Sequence, residues 1–301
     1  MSERIITTRR PELAVRTAPR GSARPRTRWL PTALLLLGAA YCLTPVLWVA
    51  IAATKGPSEL FSTFSFWPSF HGGFRYNITH LLAFRDGVFL RWALNSLLYA
   101  GVGAVLSVGV STIAGYALAK YRFVGRELIF MTILAGVLVP QITLAVPQYL
   151  LMSQLDLVNS YWSVLLPSII SPYGIYLSRI YAASVVSDDM LEAGRIDGAG
   201  EYRLAWKVGL PPMIPGMVTL LLLQFVAIWN NFLLPYIMIS DDGRFPMTVG
   251  LFTMLNQGAS QPALYSLVVM GVFLSVLPLV ALFLFLQRYW RLDLVSGGVK
   301  G

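Results

Sequence analysis

Charge is what this chain has least of. Asp, Glu, Lys and Arg together make up 12% of its 301 residues, against 56% hydrophobic residues. A soluble domain carries about 25% charged residues. That shortfall excludes an ordinary soluble protein and leaves one that crosses a membrane several times. The single cysteine, Cys42, excludes an internal disulfide and reads as a small core residue inside an apolar run. The two histidines, His71 and His80, stand nine apart with no cysteine or glutamate pattern around them, so no metal site is expected. No GxxxxGK phosphate loop, HExxH or GxSxG occurs. No catalytic or nucleotide-binding domain is expected on this chain, so energy for uphill transport would come from a partner or an ion gradient.

Long apolar sequence is what the chain has instead. Runs at 29–53, 93–119, 128–150, 163–183, 213–238 and 263–286 each approach or exceed the roughly 20 residues a helix needs to cross a bilayer. They predict an all-α polytopic membrane protein with six transmembrane helices. Basic residues fall unevenly between these runs. Eight arginines lie in 1–28. Lys120, Arg122 and Arg126 follow the second run; Arg179 stands near the end of the fourth, with Arg195, Arg203 and Lys207 after it; Arg288, Arg291 and Lys300 close the chain. Lys55, Arg75, Arg85, Arg91 and Arg244 lie on the other side. The positive-inside rule places the richer side, with both termini, in the cytoplasm of a plasma (inner) membrane protein.

The organisation follows. Residues 1–28 are an Arg-rich cytoplasmic tail whose prolines and lack of interleaved aromatics read as disorder rather than nucleic-acid binding. Attraction to anionic lipid suits it better. Residues 29–92 hold the first span and an external segment rich in Phe, Trp and Gly. Residues 93–301 are a core of five spans with a cytoplasmic loop at 184–212. Arg9-Arg10 is no export signal, because five further spans follow. The AAYC at 39–42 is no lipoprotein site, because Tyr41 is too bulky and the apolar run continues.

No Asp, Glu, Lys or His lies inside the six runs, and the one Arg, Arg179, stands near the end of the fourth, which disfavours a proton-driven carrier. Neutral amides do occur there: Gln141, Gln148, Gln224, Asn230 and Asn231, with Trp229 beside the last two. Gln141, Gln148, Trp229, Asn230 and Asn231 are the candidate pathway-lining residues, suited to a neutral, hydroxyl-bearing solute. Helix-joining amides, worth about 0.6 kcal/mol per bond, are the alternative. Pro140 and Pro147 predict a bent helix beside that pathway.

The segment EAGRIDGAGEYRLAWKVGLP, 192–211, lies between two of the runs. Asp189 stands three before Glu192, a capping-box spacing in which Asp189 caps a helix and Glu192 returns the bond. Gly194 and Gly198, four apart, share a face where small residues allow close approach. Gly200 bends the chain into a second short helix, 201–208, which Pro211-Pro212 ends.

The order Glu192-Ala193-Gly194, Gly198, nine residues and Val208-Gly209-Leu210-Pro211 resembles the "EAA" loop of bacterial ABC importer permeases. The chain is similar to the six-span permeases of the maltose-transporter type over about residues 30–301. Asn95-Ser96, GYALAKYRFVGRE at 115–127, VPQITLAVPQYLLM at 139–152, IWNNFLLPYIM at 228–238, QRYW at 287–290 and SGGVKG at 296–301 carry the likeness. Gly194 departs from the motif's second Ala, and Val208 from its Ile. The resemblance implies type I ABC importer architecture and a sugar-import permease without a catalytic site of its own. It implies a heteromer with a second permease, two ATPases that bind ATP and Mg, and an external solute-binding protein. Glu192, Ala193, Gly194, Asp197 and Gly198 would then be the ATPase-coupling residues, and the other permease would hold most of the sugar. Import permeases for a phosphodiester, polyamine or amino acid, an ion-driven carrier and a membrane scaffold are the competing readings.

Overall fold

The structure, a computed structural model, describes residues 29–297. The Arg-rich tail and the closing residues 298–301 lie outside them. The chain divides into two compact units, 1–46 and 47–301. Helix α1, Trp29–Ala52, begins in the first and ends in the second.

Every regular element among the described residues is helical. After α1 come α2 (Gly73–Ala83), α3 (Val88–Lys120), α4 (Arg126–Leu138), α5 (Gln141–Gln154), α6 (Trp162–Ile169) and α7 (Pro172–Val185). The short α8 (Asp188–Ile196) and α9 (Glu201–Leu204) precede a π-helical turn, Ala205–Gly209, and α10 (Ile214–Trp229). The series ends with α11 (Leu233–Met238), α12 (Met247–Gln257) and α13 (Ala263–Gly297). The second unit is arranged around α3, on which α6, α7 and α10 pack. The buried face of α3 is rich in small residues, among them Ala100, Ala104, Ser107 and Ser111. Small residues let backbones approach closely where lipid leaves no hydrophobic drive between helices.

Four helices are long and apolar enough to cross a membrane, and a fifth span arises if α4 and α5 count as one. Three of the six expected spans are broken, and the run at 213–238 is α10 and α11, parted at 230–232. The run at 128–150 is α4 and α5, bent by 106°. Val139 and Pro140 are both extended, and Pro140 is the N-cap residue before α5. The run at 163–183 is α6 and α7, parted at Ile170 and Ser171 before Pro172. A proline is not sufficient for a break, since Pro147, Pro167 and Pro278 sit inside helices. At Ser171 the break has its own cap: the Ser171 Oγ accepts from the Gly174 N–H at 3.0 Å.

One end of α3 is clamped by the loop before α12. Trp92 Nε1 donates to the Asp242 carbonyl, and Asn95 Nδ2 donates to the Gly243 and Phe245 carbonyls. Tyr99 Oη donates to the Arg244 carbonyl, and Ser96 Oγ accepts from the Met247 N–H. The other end of α3 meets a second, smaller core of Tyr116, Ala182, Val186, Leu191, Leu204 and Met213. That core carries α8 and α9.

Candidate coupling surface and transport cavity

Helix α8 is capped at both ends. At its start the Ser187 Oγ accepts from the Met190 N–H at 3.3 Å, so Ser187 is the N-cap, not Asp189. The expected capping box is therefore absent. Asp188 and Asp189 lie in the first turn, where the helix dipole favours negative charge. At its end Gly198 has φ 79°. The Gly198 N–H donates to the Arg195 carbonyl and the Ala199 N–H to the Gly194 carbonyl, both at 3.0 Å. This is a Schellman stop, which selects Gly at the left-handed position.

The two glycines thus serve different ends and do not form one close-approach face. Gly198 points into open space. A Cβ on Gly194 would stand 2.5 Å from Leu204 Cδ1, so Gly194 seats α8 on α9. Arg195 Nε pairs with Glu201 Oε1 at 2.9 Å across the turn. That guanidinium holds the Glu201 carboxyl below its ordinary range. Burial and Glu201 together push the nearby Tyr121 hydroxyl up.

Leu191 faces inward, leaving the outer side of α8 free. Glu192, Ala193 and Asp197 are exposed, and Glu192 has no hydrogen bond or ion pair among the described residues. Beside them stand apolar residues that the sequence reading passed over: Ile196 at 86% exposure and Tyr202 at 78%, with Trp206 packed against Tyr202. The clue was an isoleucine on the polar side of a short helix. A rigid, two-helix knob with apolar and acidic groups outward is suited to docking into a cleft.

A cavity of about 280 Å³ lies where the helix breaks converge. Its walls come from the α4–α5 break, the α6–α7 break and the break at 230–232 between α10 and α11. Gln141, Gln148, Ser171, Tyr173, Gln224 and Asn231 supply polar groups, and no charged residue lines it. Gln224 Nε2 donates to the Ser171 Oγ at 2.5 Å. Asn231 Oδ1 accepts from the Leu234 N–H, bridging the α10–α11 break. Irregular backbone at membrane depth survives only when buried in protein or beside water. Of the candidate pathway residues, Gln141, Gln148 and Asn231 meet here. Trp229 does not: it is buried in the main core and stacked on Phe225. Asn230 also lies elsewhere, its Nδ2 donating to the Val226 carbonyl one turn back.

Apolar helices interrupted around an uncharged cavity, with a capped docking knob at one end, make a membrane transport permease. Residues 107–291 match the binding-protein-dependent transport system inner membrane component family, and the chain belongs to it. It is 37% identical to the arabinooligosaccharides transport system permease protein AraQ of Halalkalibacterium halodurans, over 71% of this chain and 76% of that one. It is 30% identical to the probable ABC transporter permease protein YurM of Bacillus subtilis, over 91% and 88%. The crystal structure of a bacterial ABC transporter that imports the acidic polysaccharide alginate has a chain with the same fold. The TM-score is 0.76 at 22% identity, covering 90% of this chain and 99% of that one.

Proposed function

We propose that this permease serves an ATP-driven, binding-protein-dependent importer of a neutral oligosaccharide. One observation carries the substrate class: the polar groups in the largely apolar lining of the cavity at the three helix breaks are amides, hydroxyls and a phenol, without charge. Such groups donate to and accept from sugar hydroxyls without a desolvated ion. Relatives named for arabinooligosaccharides and diacetylchitobiose support the reading. Relatives named for sn-glycerol-3-phosphate also exist, at 28% identity. A phosphate would call for a cation, and none lines this cavity.

In this reading both termini and the α8–α9 knob face the cytoplasm. Two ATPase subunits bind ATP and Mg, and Glu192, Ala193, Asp197 and Ile196 enter a cleft on one of them. Gly194 and Gly198 hold that surface in shape. A second permease and an external solute-binding protein complete the complex.

The test is receptor-dependent ATP hydrolysis by the reconstituted complex. Neutral oligosaccharides should stimulate it and glycerol-3-phosphate should not. Stimulation by the phosphate ester alone would overturn the substrate class.

A further inference from the structure

We propose that residues 57–70 form an aromatic shelf seated in the headgroup region of the outer leaflet. The proposal rests on the reading that the segment after α1 faces outside. Phe61, Phe64, Trp67 and Phe70 are each between 70% and 85% exposed, which in water would be a costly apolar surface. Two ring contacts fix its depth. Phe61 meets Tyr265 edge-on at 5.7 Å, and Phe74, just after the shelf, meets Phe273 at 6.5 Å. Tyr265 is in the first turn of α13 and Phe273 in the third, both inside a stretch apolar enough to span the bilayer. The shelf is thus level with the outer end of a membrane helix and continuous with that helix's surface.

Its backbone sets the limit of insertion. Residues 57–70 are turns and bends without a helix or strand of their own. Their amide groups cannot be left unpaired in hydrocarbon, whereas the interface supplies water and headgroup partners. Aromatic side chains concentrate at that level.

The shelf is held from beneath rather than free to flap. Lys55 is 1% exposed, and its Nζ donates to the Phe64 carbonyl at 2.6 Å. The Ser69 N–H donates to Thr54 Oγ1 at 3.0 Å. Asn77 Nδ2 donates to the Ala53 and Lys55 carbonyls, tying the same turn to α2. Between Gly56 and Phe74 the sequence has no Lys or Arg, and its one carboxylate, Glu59, pairs with His71 at 3.0 Å. The attraction is therefore apolar and needs no anionic lipid.

The experiment uses the full complex in lipid nanodiscs, with Cys42→Ser as background. Spin labels replace Phe64, Trp67 or Phe70 through Phe64→Cys, Trp67→Cys or Phe70→Cys, with Arg75→Cys as the exposed reference. The oxygen-to-nickel accessibility ratio should be several-fold higher at the three shelf positions than at Arg75→Cys. It should be unchanged between neutral and anionic lipid, and unchanged on adding the solute-binding protein. A shelf ratio equal to that at Arg75→Cys overturns the proposal. Protection that appears only with the solute-binding protein also overturns it, and makes the shelf a protein-docking face. Labelling of Arg75→Cys in vesicles from the cytoplasmic side alone would instead refute the external placement itself. Lys55→Met should lower the ratio at Phe64→Cys by freeing the shelf; no change there would show that Lys55 does not fix the insertion.

Discussion

Lys120 and Asp188 are 68 residues apart in the chain, yet the Lys120 Nζ lies 2.8 Å from the Asp188 Oδ1. The first is the last residue of α3 and the second is the first of α8. The lysine side chain is nearly buried while the carboxylate is open to solvent. The pair joins α3, on which α6, α7 and α10 pack, to α8, the helix of the proposed docking surface, and it draws the Asp188 carboxyl below its ordinary range.

An ion pair whose carboxylate is open to solvent adds little to stability, and Met keeps the buried length of the lysine stem, so Lys120→Met should leave the melting temperature nearly unchanged. Its effect should be mechanical: uptake per ATP hydrolysed should fall, because α8 is no longer tied to α3. The charge swap Lys120→Asp with Asp188→Lys should restore part of it. Because the folded carboxyl is shifted down, the contact is fully present above the unfolded value of 3.8 and is lost only as pH falls through the folded one. Coupling should therefore not change across neutral pH on this pair's account.

Gly198 and Gly194 should respond differently to substitution. A left-handed backbone costs an ordinary residue about 1–2 kcal/mol, less for Asn. Gly198→Asn should keep most uptake, and Gly198→Trp should lose it, since the added bulk stands in open space on the side proposed to dock. Gly194→Val should fail through Leu204, which has no room for a Cβ. Melting curves with solute-stimulated ATPase assays separate the two: Gly194→Val lowers both, and Gly198→Trp chiefly the second.

Glu192→Ala should leave folding untouched, because the exposed Glu192 side chain makes no hydrogen bond or ion pair among the described residues. If it docks on a partner, co-purification of the ATPase and stimulated hydrolysis should fall together. Normal assembly of the Glu192→Ala complex would show that Ile196 and Tyr202, not the carboxylate, carry the contact.

How far the sequence discloses this fold can be read at its prolines and at α8. Long apolar runs were enough to place α1 closely and the starts of α10 and α13, but the run at 213–238 extends past the end of α10 through α11, and α13 continues beyond 286 to Gly297. They were not enough to tell a kink from a stop. Pro147 and Pro140 look alike in sequence, but only Pro140 ends a helix, where the chain turns by 106° around the cavity. At α8, Ser187 and Asp189 both suit an N-cap, and the choice rests on which backbone turns first. The exposure of Tyr202 and Trp206 depends on which face the small core takes up, and a helix as short as α9 has too few positions to reveal a stripe.

The clamp on α3 should be a stability element. Asn95 donates to two carbonyls and accepts from Tyr161 Oη at 3.1 Å. Asn95→Ala leaves buried groups unpaired, at about 1–3 kcal/mol each. The purified permease should melt at a clearly lower temperature, and Asn95→Asp should not rescue it, since a carboxylate cannot donate to the Gly243 and Phe245 carbonyls.

The five pathway candidates should divide into two groups. Gln141, Gln148 and Asn231 line the cavity, so Gln141→Ala and Gln148→Ala should weaken uptake of the solute with little change in melting. Each removes a hydrogen-bonding group from the route without opening the core. Trp229 is packed on Phe225 in that core, so Trp229→Ala should cost about 3–5 kcal/mol as a large-to-small substitution and lower the amount of folded protein instead. Asn230 donates only to its own helix, so Asn230→Ala should be nearly silent in both assays. Uptake in vesicles, corrected for folded permease, is the deciding measurement. If Asn230→Ala impairs transport as much as Gln148→Ala does, the route runs along the outer side of the α10–α11 break and not through this cavity.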